Sequence, residues 1–246
     1  DAGERSEALA AHAHEAASCE RCGLSATRTQ VVYGAGPVDA PLMFVGEAPG
    51  FHEDRDGLPF AGRAGELVER LLAGIGIELD EVYLATVLKC RVAGNREPLP
   101  EEWGACEPYL YRQLELVVPM AATVALDRFG SKAERKEERR KAGWFALVAA
   151  LFFLYPFADK ALGINRSHGQ EQEVTLGGRR VILYPLFHPA AALYTPTMLE
   201  VLERDVARLP FLLERDQPAV VREPLTVAAE TVETPGGRQP VQLGLF

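Results

Sequence analysis

The chain has no apolar run long enough to cross a bilayer. The longest, Trp144 to Phe157, has 14 residues, against the roughly 20 that a membrane helix requires. The segment from Asp1 to Ser18 is polar and acidic and has no apolar signal-peptide core, so a cytoplasmic protein is expected. Cysteine is scarce. Four in 246 residues are too few for a disulfide framework, and in a reducing compartment they favour metal binding or catalysis. Glycine and proline follow no repeat, which excludes collagen-like and low-complexity architectures. Rossmann and P-loop fingerprints are missing too, which counts against nucleotide-driven chemistry. Positive charge is in short supply: 26 Lys and Arg stand against 35 Asp and Glu, a net −9. Bulk charge therefore argues against nucleic acid as a partner, unless a local site supplies the cations that counterion release requires. What is present, 48% apolar and 25% charged residues, is the make-up of an ordinary globular protein.

The hydrophobic pattern predicts a helix over 1–17, a buried strand over 42–45, and a helix from Ala64 with apolar residues at 67, 68, 71 and 72. It then predicts a strand over 82–88, a helix over 101–118, strands over 123–126 and 181–187, and a last amphipathic helix over 197–213. Strands alternating with helices indicate an α/β fold with a mainly parallel sheet. Ligands of such sheets sit beyond the carboxyl ends of strands, where the turn 46–50 and His188 both fall. Residues 1–213 read as the folded domain, with an atypical insertion over 130–160, and 214–246 as a flexible tail.

Cys19 and Cys22 form a CxxC, whereas Cys90 and Cys106 lie 16 positions apart. Structural zinc usually takes two tight pairs, while an iron–sulfur cube tolerates looser spacing. Spacing alone leaves zinc, a cluster, a redox CxxC and plain buried thiols open. In the connection after the first strand, glycines let backbone amides approach a ligand. There Glu47, Glu53 and Asp54 are candidate acids or bases, and Phe60 is suited to stack on a flat ring.

Taken in order, the CxxC, GEAPG at 46–50, GLPFAGRAG at 57–65, VYLATVLKC at 82–90, NREPLPEEWGAC at 95–106 and FHPAA at 187–191 resemble the family 4, iron–sulfur type of uracil-DNA glycosylase. The resemblance is dense over about 19–118 and thinner over 164–209. It implies a three-layer α/β/α sandwich around a four-stranded, mainly parallel sheet, and a [4Fe–4S] cluster on Cys19, Cys22, Cys90 and Cys106. It also implies hydrolysis of the N-glycosidic bond of uracil in single- or double-stranded DNA, leaving an abasic site. The substrate-binding set it implies is Glu47, Ala48, Pro49, Glu53, Phe60, Thr86, Asn95 and His188. Phe60 would stack on the base, and His188 would donate to uracil O2 as charge builds there. Glu47 or Glu53 would position the water, because Ala48 stands where the best-known uracil glycosylases carry a catalytic Asp. Arg63, Arg166 and His168 are the expected DNA contacts.

The chain departs from that family in several places. Thr86 replaces its usual Asn, exchanging a fixed amide donor and acceptor for one rotatable hydroxyl able to adapt to either edge of the base. The expected consequence is weaker discrimination or rate. The insertion over 130–160 has no counterpart, and Arg128 to Lys141, which runs into it, carries seven basic and three acidic residues, which read as a solvated or DNA-facing helix. No basic, histidine-bearing loop follows the second strand, and no lysine is placed as a lyase nucleophile, so a monofunctional, turning-over enzyme is expected. Gln242, Leu243, Leu245 and Phe246 resemble the peptide that bacterial repair proteins insert into the sliding clamp. A monomer without membrane association is expected. Competing readings are a non-catalytic or weakly active damage-binding iron–sulfur protein, a glycosylase with altered specificity for deaminated purines, and a redox protein.

Overall fold

Each central strand is apolar on both faces, so helices must cover both sides of the sheet. The computed structural model describes residues 1–117, 119, 121–126, 168–176 and 179–215. The insertion over 130–160, Arg166, and the tail from 216 onward with its clamp-like peptide lie outside the described residues.

The sheet comprises β1 (Leu42–Gly46), β2 (Val82–Thr86), β3 (Ala121–Leu126), β4 (Gln172–Leu176) and β5 (Arg179–Phe187), in the order β2-β1-β3-β5-β4. β2, β1, β3 and β5 run parallel, and β4 is antiparallel to β5. The α/β reading holds, but the expected count of four strands is corrected to five. The extra edge strand, QEVTL, is short and polar, with no apolar run to betray it.

Leu42 and Phe44 of β1, Val82 and Leu84 of β2, and Ile182, Tyr184 and Leu186 of β5 share one core. That core also holds α3 (Arg63–Ala73), α6 (Pro196–Val206) and α7 (Leu209–Arg215). The alternate residues Met43, Val45, Tyr83, Ala85, Val181 and Leu183 face α1 (Ala2–Ala17) and α4 (Pro100–Val117). The single helix expected over 197–213 is two, because the chain turns at Ala207 and Arg208 before α7. The connection after β1 also contains a short helix, α2 (Phe51–Asp56), with Gly57 ending it at φ 73°. After β1 the chain first adds β2 on one side and then β3 on the other, so a topological switch point falls at the carboxyl end of β1.

Candidate active site and cysteine lobe

The turn after β1 is tied to the end of β2. Gly46 pairs with Thr86 in the ladder. Beyond it, Val87 N–H donates to the Gly46 carbonyl (2.9 Å) and Leu88 N–H to the Glu47 carbonyl (3.0 Å). These two bonds hold Glu47, Ala48 and Pro49 across the carboxyl ends of two neighbouring strands. Pro49 is buried, Glu47 and Ala48 half-buried.

Glu53 lies in the first turn of α2, with its carboxylate folded over two glycines. A methyl group at Gly50 would lie 2.6 Å from Glu53 Oε2, and one at Gly62 would lie 3.6 Å from Oε1. Asp54, grouped with these acids on sequence, does a different job. It is buried, its Oδ1 accepts Thr29 N–H (2.9 Å) and its Oδ2 accepts the Thr29 hydroxyl (2.7 Å). It ties α2 to segment 27–30, and both its oxygens are occupied.

Phe60 has φ 56°, the left-handed region that non-glycine residues seldom occupy and that costs of order 1–3 kcal/mol. Gly65, in the first turn of α3, leaves room for the Phe60 carbonyl, which any side chain there would strike. The Phe60 ring tip and the Thr86 methyl converge on one point: a Cβ built at Gly46 would lie 3.4 Å from each. The Thr86 hydroxyl turns away and donates to the Leu88 carbonyl at 2.7 Å. The freely adapting hydroxyl expected from sequence is therefore corrected. It is committed within β2's own tail, because a buried hydroxyl satisfies the nearest carbonyl.

His188 follows β5 and caps α5 (Pro189–Ala192); its Nδ1 accepts Ala190 N–H at 3.1 Å. An accepting Nδ1 puts the proton of the neutral ring on Nε2. His188 shares the carboxyl edge of the sheet with Gly46 and Thr86, and α5 packs on α3, the helix that positions Phe60.

The expected DNA contacts fare differently. Arg63 is exposed, with its guanidinium 5.9 Å from the Tyr194 ring centre. His168 is half-buried: its Nδ1 lies 2.6 Å from Asp205 Oδ2, and its ring stacks 4.4 Å from that of Phe187. Asn95 ends a one-turn helix, Ala93–Asn95, and its side chain lies outside those described.

The four cysteines, distant in sequence, line one cavity together with Ala16, Arg21, Arg28, Val31, Lys89, Ala105 and Tyr109. Cys19 and Cys22 come from the segment just after α1, Cys90 from the tail of β2 and Cys106 from α4. Burial pushes the Cys106 thiol up to about 11 and raises that of Cys90, outweighing the opposing pull of Lys89 on the first and of Arg28 on the second. Two donors already face the sulfurs: Lys89 N–H reaches Cys106 Sγ at 3.0 Å and Arg28 Nη1 reaches Cys90 Sγ at 3.4 Å. Among the described residues no three such ligands converge on a single ion. Four thiols lining one cavity are a donor set that fits an iron–sulfur cluster.

Sequence reasoning missed three residues. Arg28 also donates to the Cys19 carbonyl at 2.6 Å. Lys89 is fully buried, its ammonium donating to the Thr86 carbonyl (2.6 Å) and to Gln113 Oε1 (2.5 Å). Burial lowers it to about 7, with the Cys106 thiol opposing. The third is Asp205, the partner of His168. Only the position of Lys89 beside a cysteine was a signal, and a weak one.

The sequence profile of the uracil DNA glycosylase superfamily matches residues 33–209. The chain is 39% identical over 206 residues to the type-4 uracil-DNA glycosylase of Archaeoglobus fulgidus, covering 84% of this chain and 94% of the relative. It is 35% identical over 196 residues to the type-4 enzyme of Sulfurisphaera tokodaii, covering 79% and 80%. With the type-4 enzyme of Thermotoga maritima it shares 39% over 173 residues, covering 70% and 76%.

Proposed function

The chain belongs to the uracil DNA glycosylase superfamily, and from that premise we infer how its own residues carry out the reaction. It is a uracil-DNA glycosylase, an enzyme of DNA repair that removes uracil from DNA. A base inside a duplex is out of reach, so the nucleotide is extruded at a cost of a few kcal/mol. Phe60 stacks on the extruded uracil, offsetting part of that cost. The backbone of Glu47, Ala48 and Pro49 borders its carbonyl edge. As the glycosidic bond breaks, positive charge grows on the sugar and negative charge on the ring. His188, with its proton on Nε2, donates to uracil O2 as that charge grows. The observation that carries this reading is the Ala190 N–H bond to Nδ1, because it makes the outer nitrogen a donor without requiring a charged imidazole. A water completes hydrolysis, positioned by Glu47 or Glu53, and the products are free uracil and an abasic site.

Cys19, Cys22, Cys90 and Cys106 would hold a [4Fe–4S] cluster. Bound there, it would supply a structural staple between the segment after α1, the tail of β2 and α4. Support comes from the four sulfurs lining one cavity, with Arg28 and Lys89 donating to them. Ala48 packs against that lobe, which ties the lobe to the turn that borders the base.

We extend the reading to partners. Arg63 and Arg166 contact DNA phosphates, and His168 does so from its place beside Phe187. Asn95 lies near the base. Residues 1–213 form the glycosylase domain of a cytoplasmic monomer, and 214–246 a tether whose Gln242, Leu243, Leu245 and Phe246 engage the sliding clamp. Among the described residues no helix is long and apolar enough to cross a membrane.

The test is single-turnover cleavage of a uracil oligonucleotide followed by alkali. The wild type should leave an alkali-labile site. His188→Ala should lower the rate 10²–10³-fold, about 3–4 kcal/mol, as loss of one oxyanion donor does elsewhere. An unchanged rate would refute the assignment.

A further inference from the structure

The edge of uracil remote from the sugar bears a keto oxygen and an N–H, and a selective pocket meets both with hydrogen-bonding groups. On the pocket assignment given above, Thr86 is the residue expected to meet that edge. It ends β2, pairs with Gly46 at the carboxyl edge of β1, and is 4% exposed. Its two γ substituents point to different surroundings. The hydroxyl donates to the Leu88 carbonyl at 2.7 Å, within the bend that leads into Lys89. The methyl converges with the Phe60 ring tip on the empty Cβ position of Gly46.

The hydroxyl is not held by one bond alone. The Leu88 N–H is already given to the Glu47 carbonyl, and the Lys89 ammonium grips the Thr86 carbonyl at 2.6 Å. Residues 86–89 are thus fixed by one backbone and one side-chain bond in the shape that lets Oγ1 reach Leu88. Turning Oγ1 toward the aromatic would strand a buried carbonyl, a change that buried polar groups resist.

We propose that Thr86 presents its methyl, not its hydroxyl, to the bound base, so that the pocket does not read the keto–amino difference at the far edge of a pyrimidine through residue 86. Selection there rests on stacking, shape and the turn backbone, and the bases admitted extend to pyrimidines differing from uracil at that edge. This rests on the pocket assignment given under the proposed function.

The test uses inhibition of uracil excision by free uracil and by free cytosine, which differ only at that edge, in the full-length enzyme as isolated. In the wild type the two inhibition constants should agree within about tenfold. Thr86→Asn, which adds an amide donor and acceptor, should widen their ratio at least tenfold in favour of uracil. Thr86→Val keeps the methyl and deletes the hydroxyl, and should hold the ratio within about twofold of wild type. A ratio that collapses in the Val variant would show that the hydroxyl reads the base and overturn the proposal. A ratio unmoved by Asn would show that residue 86 does not face the base, with the same effect. If the Val variant fails to fold with Leu88 left unpaired, the Asn variant alone decides. Failure of the pocket assignment itself has a separate signature: an unchanged rate in His188→Ala, whatever the ratios.

Discussion

The strand-end pocket and the cysteine lobe adjoin each other and are built by opposite means. In the pocket, half-buried side chains are each aimed by one or two local contacts: His188 by Ala190 N–H, Phe60 by the space that Gly65 leaves, Glu53 by its fold over Gly50. In the lobe, buried polar atoms satisfy one another: Lys89 N–H with Cys106 Sγ, Lys89 Nζ with Gln113 and the Thr86 carbonyl, Gln113 Nε2 with the Tyr33 carbonyl and the Tyr83 hydroxyl. Mutational damage should therefore take a different form in each. Trimming His188, Phe60 or Glu53 disturbs only local contacts, so the rate should fall while the fold survives. Trimming a lobe side chain orphans a buried partner, so the fold should fail first and carry the rate with it. The two regions meet in the stretch from Thr86 to Cys90.

The strongest way to break this contrast is Cys106→Ser. It should abolish the visible iron–sulfur absorbance, lower Tm, and take excision below detection. A variant with normal Tm and no absorbance would show that the lobe stands without its staple. His188→Ala is the matching pocket change, and its Tm should equal that of wild type. Lys89→Met probes the junction. It removes a buried cation and leaves the Thr86 carbonyl and Gln113 Oε1 without their donor, at about 1–3 kcal/mol for each orphaned group. Denaturant unfolding should show that loss, and excision should slow with it because residue 86 loses its anchor. Stability falling with no change in rate would confine Lys89 to the lobe.

The smallest expected effect concerns pH. The Glu102 carboxyl is held below its usual range, first by the hydrogen bonds from Arg96 (2.6 and 2.9 Å) and also by Leu99 N–H. A carboxyl depressed in the folded state adds stability at pH above its unfolded value, and that stability is lost as pH falls through the folded value. Tm measured from neutral pH down to about 3 should therefore decline less steeply in Glu102→Gln than in wild type. The difference should be small, because Arg96 is well exposed and its charge screened. Parallel curves would show that this pair adds nothing to stability.

Much of the fold was legible from local pattern. β1, β3 and β5 and the helices α1, α3 and α4 were expected close to where they lie, because burial on both faces leaves unbroken apolar runs and burial on one face leaves a helical stripe. β4 was missed for want of either, and the break at Ala207 and Arg208 was missed because the apolar pattern runs through it. The candidate site was legible as a set of residues, through the turn at 46–50, Phe60, His188 and the four cysteines. Asp54 was misjudged because an acidic residue in a loop looks the same whether its oxygens face a ligand or a backbone N–H.

By itself, then, the sequence determined the elements, their order and the chemical groups at hand, since periodicity and residue type are properties of the chain over a few turns. The tertiary structure alone decided what each group does. It drew Cys19 and Cys22 to Cys90 and Cys106 around one cavity, placed the His188 proton on Nε2, and turned the Thr86 hydroxyl from the pocket toward Leu88. Such choices follow from which partner lies within hydrogen-bonding reach once the chain is packed, a distance that sequence separation does not encode.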